Sequence, residues 1–145
     1  MPYLNKEEFL SIFFKVPRLC VDLVIQSDEG ILLSQRSIEP FIGEWHLPGG
    51  TVYKDETIEQ AAYRIAEKET GLKIKVKECL GYIEFIGEVR SNVQMHSVSI
   101  ALKVVIVVGI LQHDENAKDI KYFKDLPEKI IKQQYDFLKN HNLAK

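Results

Sequence analysis

The residues from Glu56 to Thr70 can do little else than form an amphipathic helix laid on a sheet. Ile58, Ala61, Ala62, Ile65 and Ala66 share one stripe at about 100° per residue. Gly71 then stands where a left-handed residue closes a helix. One residue breaks the pattern. Glu69 follows Ile65 by four positions and Ala62 by seven, so it points into the same apolar stripe. The other charges, Glu59, Glu67 and Lys68, fall on the flanks or the far side.

Burying an unpaired carboxylate costs several kcal/mol. The negative end of the helix dipole adds about 0.3–1 kcal/mol to that cost. Two compensations are open. Glu69 can pair with Arg64 or reach past the helix end, or it can ligate a divalent cation, which takes hard oxygen donors. The upstream "LPGG" suits the second reading, because glycines let backbone carbonyls approach an ion closely.

Around this helix the chain reads as strands. Asn5 with Glu8 opens a short first helix through about Lys15, and Pro17 ends it. Arg18 to Gln26 is dense in β-branched residues, "SDEG" is a turn, and Ile31 to Arg36 is its hairpin partner. Long strands are expected over Lys73 to Glu88 and Gln94 to Val108, and a short one over Ile120 to Phe123. Pro127 is placed at the first position of a last amphipathic helix ending near Asn140. Helices flanking strands in this order predict an α/β mixed sheet in one domain over residues 1–145.

Charge limits the partners. The net charge is −2 and no Lys/Arg cluster occurs, which disfavours duplex nucleic acid, whose binding is electrostatic. The longest apolar run, Val104 to Leu111, is too short to span a bilayer. The N-terminus "MPYLNKEEFL" is polar and acidic, unlike a signal peptide. Cys20 and Cys79 stand in apolar contexts and are read as buried reduced thiols, which suits a cytoplasmic chain. The segment through Val16, with Phe9, Ile12, Phe13 and Phe14, is apolar enough to pack on a second subunit.

Gly50, Glu56, Arg64, Glu69, Gly71 and Leu72, following a Pro-Gly-Gly, stand at the spacing of the Nudix box. The chain thus resembles the Nudix hydrolases. The resemblance implies an αβα sandwich and a Mg²⁺-dependent hydrolase of nucleoside diphosphates linked to another moiety. Glu69 matches the family's main metal-binding glutamate. Two further box glutamates are absent, replaced by Ile65 and Lys68. The GDP-mannose mannosyl hydrolase branch lacks both of them. That branch is similar to this chain outside the box as well: in Phe9, "VDLVI", "LLSQR", Pro40, "GEWHLPGG", "KDET" and "DEN".

On this resemblance, Glu69, the carbonyl of Gly49 and the amide of Asn116 hold Mg²⁺, with Mn²⁺ an alternative. Arg36 meets the substrate diphosphate, Arg64 the leaving-group charge, and Asp22 the nucleotide-sugar. From the residues alone, Arg36 is a solvated strand-end charge and Asp22 an edge-strand or dimer-contact carboxylate. A homodimer is implied too. Two positions depart from the branch. Thr51 replaces an arginine that grips phosphates, and Ala117 replaces the histidine that serves as base. A substitute base is sought among His113, His96, Glu84, Glu88 and Glu115, with His113 preferred for its loop position and its pKa range. His46 is read as packing. Three functions compete: hydrolysis of a nucleotide-sugar such as GDP-mannose, an ordinary Nudix pyrophosphatase, and a binding module without turnover.

Overall fold

The structure is a computed structural model and describes residues 3–144. Its elements run α1 (Lys6–Phe13), β1 (Arg18–Ser27), β2 (Gly30–Arg36), β3 (Trp45–His46), β4 (Gly49–Thr51) and α2 (Ile58–Thr70). They continue with β5 (Leu72–Arg90), β6 (Val93–Gly109), β7 (Ala117–Phe123) and α3 (Lys132–Asn140).

Strand β1 is the axis of the fold, and its sequence explains why. Every residue from Cys20 to Ile25 is buried, so both faces need cover, which selects a central strand with a parallel neighbour. That neighbour is β6, in register from Arg18 opposite Ser97 to Ile25 opposite Val104. On its other side β1 exchanges partners. It pairs with β4 where Cys20 faces Thr51 and Asp22 faces Gly49, and with β2 where Gln26 faces Ile31. The sheet order is β3-β2-β1-β6-β5, with β4 also on β1 and β7 on β2.

Alternation along β1 sends odd and even residues to opposite layers. Val21, Leu23 and Ile25 meet Ala61, Ala62, Ile65 and Ala66 of α2. Val24 lies in the other layer with Trp45, Leu47, Ile130 and Leu138 of the α3 side. Fully burying one such aliphatic side chain contributes about 1.5–3 kcal/mol. The result is the expected α/β arrangement, a mixed sheet between helices.

Helix α2 has a firmly set start. Thr57 accepts from the Gln60 amide at 3.0 Å, and the Gln60 side chain accepts from the Thr57 amide at 2.9 Å. Gly71 closes it in the left-handed region at φ 73°. Ahead of it, Arg64 makes a two-pronged ion pair with Glu56 at 2.7 and 3.0 Å.

Three expectations need correction. Pro127 does not open the last helix. Residues 129–131 instead run beside Trp45, whose amide donates to the Lys129 carbonyl and whose carbonyl accepts from Ile131, so helix geometry begins only at Lys132. Cys79 is exposed, because bulges in β5 beside it turn its side chain outward, whereas Cys20 is buried as expected. Asp22 is not on an edge strand, since β1 is central.

Replacing Thr57 by alanine removes half of the reciprocal cap. We expect a loss of about 1 kcal/mol in urea unfolding, with Thr57→Ser close to wild type.

Candidate active site

A single cleft collects most of the residues picked out in the sequence. Asp22, Arg36, Gly49, Glu69 and Asn116 all line it. The strand that carries Asp22 and the helix that carries Glu69 reach it from different layers. They meet because β1 changes its antiparallel partner between β4 and β2, and the chain passes through Pro48 and Gly49 at that seam.

Glu69 stands at the C-terminal end of α2 with its open side toward the cleft. The Gly49 amide donates to its Oε1 at 3.4 Å. Burial, and then the nearby Asp114 carboxylate, push its pKa up to about 8. Arg64, its sequence-level ion-pair alternative, is engaged elsewhere. Arg64 holds Glu56, donates to the Thr51 carbonyl at 2.8 Å and stacks on Tyr53 at 3.6 Å. With no ion pair among the described residues, Glu69 fits a cation site.

The donors fit a hard divalent ion. Among the described residues no group of three or more His, Cys, Asp or Glu gathers at one point. What the cleft offers is oxygen of mixed kinds: the Glu69 and Asp114 carboxylates, the Asn116 amide and the Gly49 backbone. Such a set, completed by water, suits Mg²⁺ or Mn²⁺ better than softer metals. A side chain at Gly49 would overlap the Asp22 carboxylate and the Val21 carbonyl, so only glycine allows this approach of β4 to β1.

Asp22 is buried, accepts from Gln134 at 3.0 Å and bonds to Ser99. Desolvation prevails over these bonds and raises its pKa to about 6. Arg36 is not a solvated strand-end charge. Its Nε donates to the Pro40 carbonyl and its second nitrogen to the Glu39 carbonyl at 3.0 Å, which aims the guanidinium along the cleft wall. His46 is buried and its pKa is driven down to about 3 by burial and by Arg36, so it stays neutral.

Arg64 and His113 are not brought into the cleft lining. Arg64 is held back by Glu56 and Tyr53; His113 is exposed, and its Nδ1 lies 3.0 Å from the Asp114 carbonyl. Of the other base candidates only Glu88 lines the cleft, where it accepts from Ser97 at 2.5 Å. Glu84 and Glu115 are exposed and His96 lies outside the lining. Four charged or amide residues of the lining were given no role by the sequence reading: Arg18, Arg90, Asp114 and Gln134. Arg18 was within reach, since Arg18, Cys20 and Asp22 alternate onto one face of β1.

The pKa of Glu69 sets the pH response of the metal-free protein. An unfolded chain releases this proton near 4.5 and the folded chain only near 8, so stability falls as pH rises between those values. Asp22 acts the same way but below about 6, and His46 acts with opposite sign below 6.5. Urea unfolding in chelator should therefore show stability declining from pH 6.5 to 8, and Glu69→Gln should flatten that decline. An unchanged slope in the mutant would refute the assignment.

Comparison with known proteins identifies the family and the fold. The NUDIX domain family model matches residues 16–139. The chain is 36% identical over 121 residues to the low-salt glycan biosynthesis protein Agl8 of Haloferax volcanii, covering 81% of this chain and 78% of that one. It is 37% identical over 124 residues to the ADP-ribose pyrophosphatase of Methanocaldococcus jannaschii, covering 80% and 72%. Among solved structures, a MutT NUDIX hydrolase from Burkholderia pseudomallei superposes with a TM-score of 0.76 at 26% identity, over 86% of this chain and 97% of that one. The MutT protein of Methanosarcina mazei shares the fold with a TM-score of 0.75 at 23% identity, over 87% and 94%. By the matched family model and these relatives, the chain belongs to the Nudix family.

Proposed function

We propose that this Nudix hydrolase cleaves a nucleotide-sugar, such as GDP-mannose, into sugar and nucleoside diphosphate with Mg²⁺ bound in the cleft. One observation carries the reading. Helix α2 delivers a single carboxylate, Glu69, to the cleft, because Ile65 is spent in the core and Lys68 is exposed. A Nudix helix so stripped resembles the mannosyl hydrolase branch. The relative named for glycan biosynthesis lends support, since glycan assembly consumes activated sugars.

In this reading Glu69, Asp114, Asn116 and the Gly49 carbonyl hold the cation. When bound, the cation supplies charge neutralisation for the departing diphosphate. Arg36 adds a second positive group from the end of β2, pre-oriented by the carbonyls of Glu39 and Pro40. Arg64 serves at one remove, pinning the Thr51–Glu56 loop to α2. Ala117 cannot accept a proton, and Asp22 is buried with bonds from both Gln134 and Ser99, whereas Glu88 is half-buried and takes one bond, from the Ser97 hydroxyl. Glu88 is then the carboxylate placed to draw a proton from water.

A second reading is favoured by the relative named ADP-ribose pyrophosphatase: the same cleft would break the phosphorus–oxygen bond within the diphosphate of such a nucleotide-sugar. Incubation of nucleoside diphosphate derivatives with Mg²⁺ in ¹⁸O water separates the two. Label in the sugar supports the first reading, and label in phosphate supports the second. Glu88→Gln should lower kcat by roughly 10²–10⁴, whereas His113→Gln should not. The reverse result would return the base to His113. Binding of a derivative without turnover would leave a nucleotide-binding module.

We also propose a cytoplasmic homodimer. The two cysteines are free, as in a reducing compartment. No residue of α1 is buried, and Ile12, Phe14 and Val16 are exposed at 41%, 64% and 48%, a face that a second subunit would cover. Sedimentation velocity at micromolar concentration should give the dimer; a monomer would refute it.

A further inference from the structure

Besides Glu69, the cleft contains three guanidinium groups, those of Arg18, Arg36 and Arg90. Among the described residues none of the three forms an ion pair. The Nε atoms of Arg18 and Arg90 are buried with no hydrogen-bond partner. Both guanidiniums lie over the same Phe9 ring of α1, at 5.6 and 5.2 Å. Leaving such donors unpaired in a cleft is unfavourable unless something occupies them. Each guanidinium also bears a charge that the other two oppose. Burial and then these neighbours bring the Arg90 pKa down to about 10.

Arg18 donates to the Thr51 hydroxyl at 2.6 Å across the β1–β4 pair. Thr51 immediately follows the Gly-Gly loop, on the strand that carries Gly49. The guanidinium of Arg18 thus occupies the space beside that loop, delivered from the neighbouring strand. A threonine at 51 gives it a short polar contact and leaves room for it.

We propose that Arg18 and Arg90, braced on Phe9, form the subsite for a phosphoryl group of the substrate diphosphate, with Arg36 on its flank. Guanidinium forks match phosphate oxygens two at a time, and two forks on one aromatic plate define an orientation as well as a charge. The subsite rests on the reading that the substrate is a diphosphate. It makes α1 part of the site through Phe9.

Inorganic pyrophosphate is the probe, titrated calorimetrically in chelator so that no metal contributes. Wild type should bind it, and Arg18→Gln and Arg90→Gln should each weaken binding by about tenfold or more. Lys73→Gln, on the exposed side of β5, serves as the control. Both arginines are half-buried and their charges oppose each other, so each substitution relieves repulsion, and both variants remain measurable. Arg18→Lys and Arg90→Lys provide a second pair: they keep the charge, lose the fork, and should fall between wild type and the glutamine variants. Failure of wild type to bind pyrophosphate, or binding that survives both glutamine substitutions, overturns the subsite. Nucleotide-sugar turnover is a separate readout. A protein that binds pyrophosphate through these arginines but hydrolyses no nucleotide-sugar keeps the subsite and loses the proposed reaction.

Discussion

The structure is arranged around one unfavourable placement, a carboxylate at the negative end of a helix in a low-dielectric cleft. Glu69 is held there by elements that have no part in the chemistry. The capping pair of Thr57 and Gln60 fixes where α2 begins, and Ala61, Ala62, Ile65 and Ala66 fix its rotation against β1. With start and rotation set, the last turn has no freedom to swing Glu69 back into water. The ion pair of Arg64 with Glu56 then pins the preceding loop, so the Gly-Gly segment is positioned from the same helix. Uncompensated, such a carboxylate keeps its proton to about pH 8. A cation that displaces the proton converts stored electrostatic penalty into binding free energy.

The same economy explains the two missing box glutamates. Ile65 lies in the stripe, and its side chain packs in the core with Leu23, Leu102 and Val104. A carboxylate at that position would have to be aimed past the core toward the cleft. Lys68 faces solvent on the flank of the final turn and complements the helix dipole there. Each replacement removes negative charge near Glu69. The acid that remains nearby, Asp114, comes from the loop before β7 rather than from the helix. Its donor partner is the backbone N–H of Asn116 at 3.1 Å, a local turn that presents both residues to the cleft together.

What the sequence discloses depends on how local the determining interactions are. The stripe of α2, its glycine stop at Gly71 and the misplaced Glu69 all lie within a few turns, and each was readable. So was the alternation of β1 that sets Asp22 apart from Val21 and Leu23. The start of α3 was not, because a strand-like contact with Trp45, far back in the chain, overrides the preference of Pro127 for a first helical turn. The orientation of Arg64 was not readable either, since spacing along the helix gives direction but not the competing partner on the loop. His113 was chosen for its pKa range, and neither pKa nor loop position reports which way a side chain faces.

Arg90 and Glu88 show the sharpest limit. On β5 the residues facing inward are Ile83 and Phe85, so strict alternation would send Glu88 and Arg90 outward. The register shifts between Ile86 and Glu88, and one extra residue reverses the parity. Gly87 occupies that bulge with φ 82°, a conformation that side-chain-bearing residues adopt only under strain. Its hydrogen in place of a side chain is needed for the backbone angle, not for space, because nothing lies within 4 Å of where a Cβ would stand. From the bulge onward the strand presents Glu88 and Arg90 to the cleft, facing Arg18 from β1. The charge distribution of the site is therefore decided by a bulge some distance along a hairpin from the helix that defines the family. Helix α2 and the Gly-Gly loop thus set Glu69 and Gly49 in the cleft, while the register of β5 alone decides that Glu88 and Arg90 join them.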